Sequence, residues 1–134
     1  SQSLYPGVKE TLHTLNNKGV INICLSASFE ENLKEQLNHF KIAHYFYDIL
    51  GTNNVLALGK KDVAEKYLEI NEINPENCLL IGDTIADYEL AKSLGLKSVL
   101  FTEGHQSKKR LLKTGSKTID KIEEIIKIIE KGNL

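Results

Sequence analysis

The sequence contains no methionine and no tryptophan, and it has only two cysteines and two prolines. Two cysteines are too few for a disulfide scaffold or for a cysteine-based metal framework. Cys24 and Cys78 both lie within apolar runs, INICL and NCLLIG, where cysteine usually behaves as a small buried hydrophobic residue. We therefore expect two free, reduced thiols. The absence of methionine is consistent with removal of an initiator residue before Ser1, and equally with a fragment of a longer protein.

An excess of charge of either sign and a long hydrophobic run are also absent. The 17 basic residues nearly balance the 18 acidic ones, which leaves a formal net charge of −1. Because the net charge is so small, the electrostatic field of the protein does not favour binding to nucleic acid or to a membrane surface. We therefore expect small molecules or other proteins as partners. The apolar runs are only as long as strands, and the first residues, SQSLYPG, do not have the layout of a signal peptide. We expect a soluble, cytoplasmic protein.

Apolar strands and amphipathic helices alternate along the 134 residues, a length typical of one domain. Strands that are apolar on both faces are typical of a parallel sheet covered by helices on both sides. The pattern predicts a single α/β domain over residues 1–134, with a three-layer open parallel sheet of the Rossmann-like type. The predicted strands cover 20–25, 47–50, 78–82 and 97–102, the predicted helices cover 8–18, 29–40, 61–70 and 84–94, and a final helix is built on Ile119, Ile122, Ile125, Ile126 and Ile129.

Polar residues stand where these strands end, and ligands bind beyond the carboxyl ends of strands in an open parallel sheet. The hydroxyl of Ser26, together with nearby backbone amides, could hold an anion. Taken alone, the pattern favours the alternative that Ser26 and Ser28 only turn the chain, with Ser28 as the N-cap of the next helix, because serine is a common N-cap. Lys60 and Lys61 oppose the dipole of the helix they precede, which indicates a bound phosphate, a nearby carboxylate or simply a solvated pair of lysines. His105 follows the last strand, on the same side of the sheet.

The segment GDTIAD, residues 82–87, places two carboxylates where a strand gives way to a helix. In a structural interpretation, Asp83 caps the helix that starts near Thr84, and Asp87 favours its first turn. In a functional interpretation, the i, i+4 spacing puts both carboxylates on one side of the helix, where oxygen ligands suit Mg²⁺. The pattern alone leaves both interpretations open.

Taken in order, these segments resemble the haloacid dehalogenase (HAD) superfamily, particularly its phosphoglycolate-phosphatase-like branch. YPGVKETLHTL resembles the helix that follows the cap in that branch, and INICLSAS resembles the second motif. GKKDVAEKYL resembles the third motif, and CLLIGDTIAD resembles the fourth, Gly-Asp-x-x-x-Asp. The resemblance covers nearly the whole chain. It implies a HAD-like core, Mg²⁺ as the cofactor and a small phosphorylated substrate as the partner.

The resemblance also implies a role for each matching residue. Asp83 would help to bind Mg²⁺, and Asp87 would support the metal or Lys60. Ser26 would hydrogen-bond a phosphoryl oxygen, while Lys60, with Lys61 as the weaker candidate, would neutralise the phosphoryl charge. These roles suit phosphoryl transfer, which depends mainly on positioning and charge stabilisation.

The first motif of the family, Asp-x-Asp-x-Thr, supplies the nucleophile and the general acid, and the sequence does not contain it. The resemblance implies that its strand would lie between those ending at Ser26 and Gly82, with the cap after it. We therefore expect the carboxyl-terminal part of a Mg²⁺-dependent phosphatase, inactive alone, with unpaired strand edges that favour a homodimer. The alternative is a non-catalytic HAD-like binding or regulatory domain. A receiver-like or flavodoxin-like domain is more remote.

Overall fold

The computed structural model describes residues 4–52 and 58–132, and the chain divides into two compact units, Ser1–Asn71 and Glu72–Leu134. Strands and helices alternate in both units, and the three strand pairs within the described residues, β1–β2, β3–β4 and β4–β5, are parallel, as the sequence predicts. The single domain expected from the sequence stays a prediction. Within the described parts of the chain, no helix has both the length and the apolar character needed to cross a membrane.

Among its described residues, the first unit contains a two-stranded parallel sheet and three α-helices. Its elements are α1 (Val8–Asn17), β1 (Ile23–Phe29), α2 (Glu30–His39), β2 (Asp48–Thr52) and α3 (Lys60–Ile70). Leu33 and Leu37, one helical turn apart on α2, are buried together with Ile42 in the core of this unit. The apolar side of α2 that the sequence predicts therefore faces the core of this unit. The Glu30–Lys34 ion pair, at 3.5 Å, lies on the exposed side of the helix.

The strand β1 begins and ends later in the chain than the sequence predicts. It includes Ser26 and Ser28, and Phe29 is the N-cap of α2, with no side-chain hydrogen bond to the helix. The prediction that Ser28 caps α2 is therefore wrong. The reason lies in β2, where the Thr52 hydroxyl donates to the Ala27 carbonyl at 2.8 Å and more weakly to that of Ser28 at 3.4 Å. These bonds hold the end of β1 extended, although its register with β2 shifts between Leu25 and Phe29.

The second unit is a three-stranded parallel sheet in the order β3-β4-β5. Its elements are β3 (Leu79–Gly82), α4 (Ile85–Leu94), β4 (Lys97–Phe101), α5 (Lys108–Leu112), β5 (Lys117–Ile119) and α6 (Glu124–Lys131). Val99 and Leu100 on the middle strand are both 0% exposed, whereas Ile81 on β3 is 40% exposed. β3 has one neighbour among the described strands, which explains why a strand predicted to be buried is partly open.

The segment after β4 differs from the sequence prediction. Neither α5 nor β5 is predicted, and Ile119 ends β5 instead of beginning the last helix. The Glu124 carboxylate accepts the backbone N–H groups of Asp120 and Lys121, both at 2.8 Å, and so turns the chain from β5 towards α6. A strand of three residues is too short to show a period of its own, so Ile119 was counted with the isoleucines of α6.

Candidate functional site

Ser26 lies in the irregular part of β1, towards its carboxyl end. It is half-buried, and its Oγ accepts the backbone N–H of Ser28 at 3.1 Å. A hydroxyl group can also donate one hydrogen bond, and the Ser26 hydroxyl has no acceptor among the residues that the structure describes. The start of α2 is less suited to an anion, because Glu30 and Glu31 in its first turn already place negative charge there.

Lys60 and Lys61 are adjacent at the start of α3 but differ in their surroundings. Lys61 is exposed, whereas Lys60 is half-buried. Burial raises the pKa of the Cys24 thiol on β1 to about 11, and the positive charge of Lys60 acts on this thiol in the opposite sense. Of the two lysines, Lys60 is therefore the one whose charge reaches the strand that carries Ser26.

Asp87 is buried, at 8% exposure, and its carboxylate holds the start of α4. Asp87 Oδ2 accepts the Asp83 N–H at 3.0 Å, the Thr84 N–H at 3.2 Å and the Thr84 hydroxyl at 3.0 Å. The Thr84 Oγ1 in turn accepts the Asp87 N–H at 3.1 Å, which completes a capping box. The prediction that Asp83 caps this helix is therefore wrong, because Thr84 is the N-cap.

Asp83 precedes the helix, so the two carboxylates are not neighbours on one helical face. Asp83 Oδ2 instead accepts the backbone N–H of His105 at 2.9 Å and lies 2.5 Å from His105 Nδ1. The Asp83 side chain is 24% exposed and that of His105 is 77% exposed. The sequence places His105 on the ligand side of the sheet, but it gives no sign that His105 contacts Asp83.

Two glycines make room for these carboxylates. A Cβ atom added to Gly82 would overlap the side chain of Asp87, and one added to Gly104 would overlap the side chain of Asp83. Each carboxylate therefore packs directly against the backbone of a glycine. The glycine before Asp83 and the glycine before His105 are the sequence signals from which this packing could have been inferred.

The possible metal ligands of the second unit suit Mg²⁺ in part. No group of three His, Cys, Asp or Glu side chains is arranged to hold a metal ion within residues 4–52 and 58–132. Mg²⁺ is commonly held by one or two carboxylates together with waters and substrate phosphates. Asp83, half-buried and facing solvent in part, suits this role. Asp87 is buried and accepts three donors near Asp83, which suits support of Asp83 better than direct contact with an ion.

The candidate residues thus form two groups, each described within its own unit. Ser26 and Lys60 belong to the first unit, and Asp83, Asp87 and His105 belong to the second. The first group offers a hydroxyl donor and a positive charge. The second offers a carboxylate held by the backbone and by a histidine.

Comparison with known proteins relates the greater part of the chain to one family. A family model described as haloacid dehalogenase-like hydrolase matches residues 1–101. The phosphoglycolate phosphatase of Vibrio vulnificus (strain YJ016) is 32% identical over 103 residues, which cover 76% of this chain and 45% of that protein. The phosphoglycolate phosphatase of Aquifex aeolicus (strain VF5) is 34% identical over 105 residues, which cover 75% of this chain and 48% of that protein. The chain therefore spans slightly less than half the length of these curated relatives.

Solved structures are similar over nearly the whole chain. A predicted phosphatase from Clostridium acetobutylicum has a TM-score of 0.87 and 28% identity, and the match covers 95% of this chain and 60% of that one. A predicted phosphoglycolate phosphatase from Haemophilus somnus 129PT has a TM-score of 0.86 and 27% identity, with coverage of 95% and 57%. These similarities confirm the fold class predicted from the sequence, a Rossmann-like three-layer α/β fold.

Proposed function

We propose that this chain, which belongs to the haloacid dehalogenase-like hydrolase family, forms part of the active site of a magnesium-dependent phosphomonoesterase. The observation that carries the proposal is the Asp83 carboxylate, partly exposed just beyond β3. Its backbone N–H is fixed by the buried Asp87, and its Oδ2 is fixed by His105. A rigidly held carboxylate at the carboxyl end of a parallel strand is a suitable ligand for a hard cation.

Each candidate residue has a proposed task. Asp83 contributes a carboxylate oxygen to Mg²⁺, and Asp87 holds the backbone of Asp83 in place. Ser26 donates its hydroxyl to a phosphoryl oxygen, and Lys60 neutralises charge on the phosphoryl group. Bound Mg²⁺ contributes positive charge that stabilises the phosphoryl oxygens during transfer.

The attacking group of the proposed reaction is not in the sequence, which contains no Asp-x-Asp-x-Thr. We propose that a segment carrying this motif completes the enzyme by adding a strand, and that the chain is inactive alone. The supporting observation is that β1 and β3 each have one neighbour among the described strands, and that Ile81 on β3 is 40% exposed. A strand with one neighbour leaves the N–H and C=O groups of its other edge unpaired, so a further strand can pair there.

The substrate and the setting of the enzyme are proposals as well. A small phosphorylated metabolite is the proposed substrate class, and phosphoglycolate is the first one to test because the curated relatives bear its name. The proposed location is the cytoplasm. In the absence of the completing strand, the open strand edges favour a homodimer, which light scattering would detect.

A chimaera tests the proposed activity. The amino-terminal part of the Aquifex aeolicus phosphatase that precedes the matched region is joined to this chain, and phosphate release from phosphoglycolate is measured with Mg²⁺ and with a chelator. We expect turnover that needs Mg²⁺ and that Asp83→Ala abolishes. Removing one group that stabilises transition-state charge typically lowers kcat by roughly 10²–10³-fold, and we expect this loss for Lys60→Ala.

Lys61→Ala is the matched control, because Lys61 carries the same charge on the same helix turn but is exposed. It should retain activity within about threefold of the parent chimaera, since exposed charges contribute little. Circular dichroism of each variant shows whether it is folded. Turnover that persists in Asp83→Ala, or equal losses in the two lysine variants, would contradict the assignment.

A further inference from the structure

The loop between β4 and α5, residues 102–107, is tied at both ends to one carboxylate. At its start, the Thr102 hydroxyl donates to Asp120 Oδ1 at 2.5 Å. At its end, Lys108 Nζ donates to Asp120 Oδ2 at 3.1 Å. Thr102 is buried, and its backbone N–H also donates to the Ile119 carbonyl at 3.0 Å. The two ends of the 102–107 loop are therefore held to the end of β5.

The middle of the same loop contacts the acidic segment before α4. His105 directs its backbone N–H and its ring Nδ1 at a single oxygen, Asp83 Oδ2, and Nδ1 donates in the tautomer that carries its proton there. Beside it, Gln106 Oε1 accepts the backbone N–H of Ile85 at 2.5 Å. Ile85 is the first residue of α4, so its N–H has no acceptor within the helix. The 102–107 loop thus supplies a side-chain acceptor to the helix and two contacts to the carboxylate, from the His105 backbone N–H and from its ring.

Packing does not account for the position of the His105 ring, because the side chain is 77% exposed. An exposed imidazole is normally free to rotate, and an exposed ion pair such as Lys108–Asp120 contributes little by itself. The ring is ordered by its bond to Asp83, and the loop is ordered by the buried Thr102 and by Gln106. Gly104 permits this approach because any side chain there would overlap Asp83.

We propose that the 102–107 loop, closed by Asp120, is a positioning device that fixes the orientation of the Asp83 carboxylate before any ligand binds. His105 is the residue that touches Asp83, and Asp120 acts through the loop. Both are positioning residues. Their importance for metal binding rests on the proposed function, in which Asp83 is a magnesium ligand. Hydrogen bonds from outside a metal site typically orient its ligands and change metal affinity by about 10–100-fold.

The first experiment uses the metal-free, ¹⁵N-labelled chain at mildly alkaline pH. Long-range ¹H–¹⁵N spectra report which ring nitrogen of the neutral His105 carries the proton, and the His105→Ala spectrum identifies its signals. We expect the proton on Nδ1, because only that tautomer donates to Asp83. A proton on Nε2 would overturn the proposal.

The second experiment tests whether the bonds from Asp120 to the ends of the 102–107 loop are needed to position His105. Asp120→Asn should reduce the Nδ1-protonated population and speed hydrogen exchange of the His105 amide at least about fivefold, since a charge-assisted bond is weakened. Asp62→Asn is the matched control, because Asp62 is an exposed aspartate of the first unit whose side chain accepts the backbone N–H of Gly59, the N-cap of α3. It should leave both signals unchanged. Equal spectra for Asp120→Asn and the wild type would refute the role of Asp120.

A calorimetric titration with Mg²⁺ tests the metal role of Asp83 separately from the positioning role of His105. We expect His105→Ala to bind Mg²⁺ roughly tenfold more weakly than the wild type, in line with the loss of an outer hydrogen bond to a ligand. If the wild type and Asp83→Asn bind Mg²⁺ equally, the metal role of Asp83 fails, and the metal-free spectra still decide the positioning role. If Asp83→Asn loses Mg²⁺ while His105→Ala binds as the wild type does, the positioning inference fails and the metal role stands.

Discussion

Replacement of Asp87 by alanine removes the acceptor of three donors at the start of α4. Those donors are the backbone N–H groups of Asp83 and Thr84 and the hydroxyl of Thr84. The hydroxyl can rotate towards another acceptor, whereas the two N–H groups are fixed by the backbone. The loss of stability should therefore come mainly from the two N–H groups.

The expected decrease in the free energy of unfolding follows from the burial of Asp87 and of the donors that it accepts. A buried donor that loses its acceptor is destabilised by about 1–3 kcal/mol, and the segment before α4 is half-buried, so we take the lower part of this range. Two such donors lower the free energy of unfolding by about 2–4 kcal/mol in Asp87→Ala. Asp62 occupies the same N3 position of α3 but is exposed and accepts one bond, from Gly59 at 3.3 Å. Asp62→Ala should lose at most about 0.5 kcal/mol.

Urea unfolding followed by far-ultraviolet circular dichroism is a suitable assay, because the chain has no tryptophan to report by fluorescence. Asp87→Asn keeps one carbonyl oxygen as an acceptor and should fall between the wild type and Asp87→Ala. Equal losses in Asp87→Ala and Asp62→Ala would refute the view that Asp87 anchors this segment. A loss in Asp87→Ala that Asp62→Ala does not share would support the view that Asp87 anchors the segment that carries Asp83.

Three further predictions concern packing, titration and thiol reactivity. Leu100→Ala should lower the free energy of unfolding by about 2–5 kcal/mol and Ile81→Ala by about 1 kcal/mol, because Leu100 is fully buried and Ile81 is 40% exposed; urea unfolding measures both. Hydrogen bonds to its carboxylate lower the pKa of Asp120, so its stabilising contribution is present above the pKa of the unfolded chain and is lost as the pH falls through the folded pKa. The stability difference between the wild type and Asp120→Asn should therefore shrink below about pH 4, as urea unfolding at neutral and acid pH would show. Burial raises the pKa of both thiols, that of Cys24 to about 11, so native Cys24 should react with iodoacetamide more slowly than Cys78, as mass spectrometry would measure.

The alternation of strands and helices could be predicted because most elements are long enough to show a hydrophobic period. Two elements that escaped prediction are both short, α5 with five residues and β5 with three. Ile119 shows why: its spacing from Ile122 and Ile126 is helical, but its backbone pairs with β4. A local period could not reveal this, since strand pairing is a contact between distant parts of the chain.

Within the candidate site, residue types could be predicted more readily than hydrogen-bond partners. The sequence places Asp83, Asp87 and His105 at the ligand side of the sheet, because they follow strands. It does not reveal which of several adjacent polar residues caps α4, and Thr84 takes the role expected of Asp83. The bond between His105 and Asp83 joins residues 22 positions apart, so only the folded chain brings it about.

The attachment of both ends of the 102–107 loop to Asp120 fixes how many residues the loop can contain. Surface loops usually accept insertions readily, since each added residue contributes little to the closure entropy. Here one residue more or fewer would shift the donors of His105 relative to Asp83 or detach Lys108 from Asp120. Substitution of the exposed Glu103 should be tolerated, whereas a change of length should not. The number of residues between β4 and α5 is therefore a requirement of the site, in addition to the side chains that these residues carry.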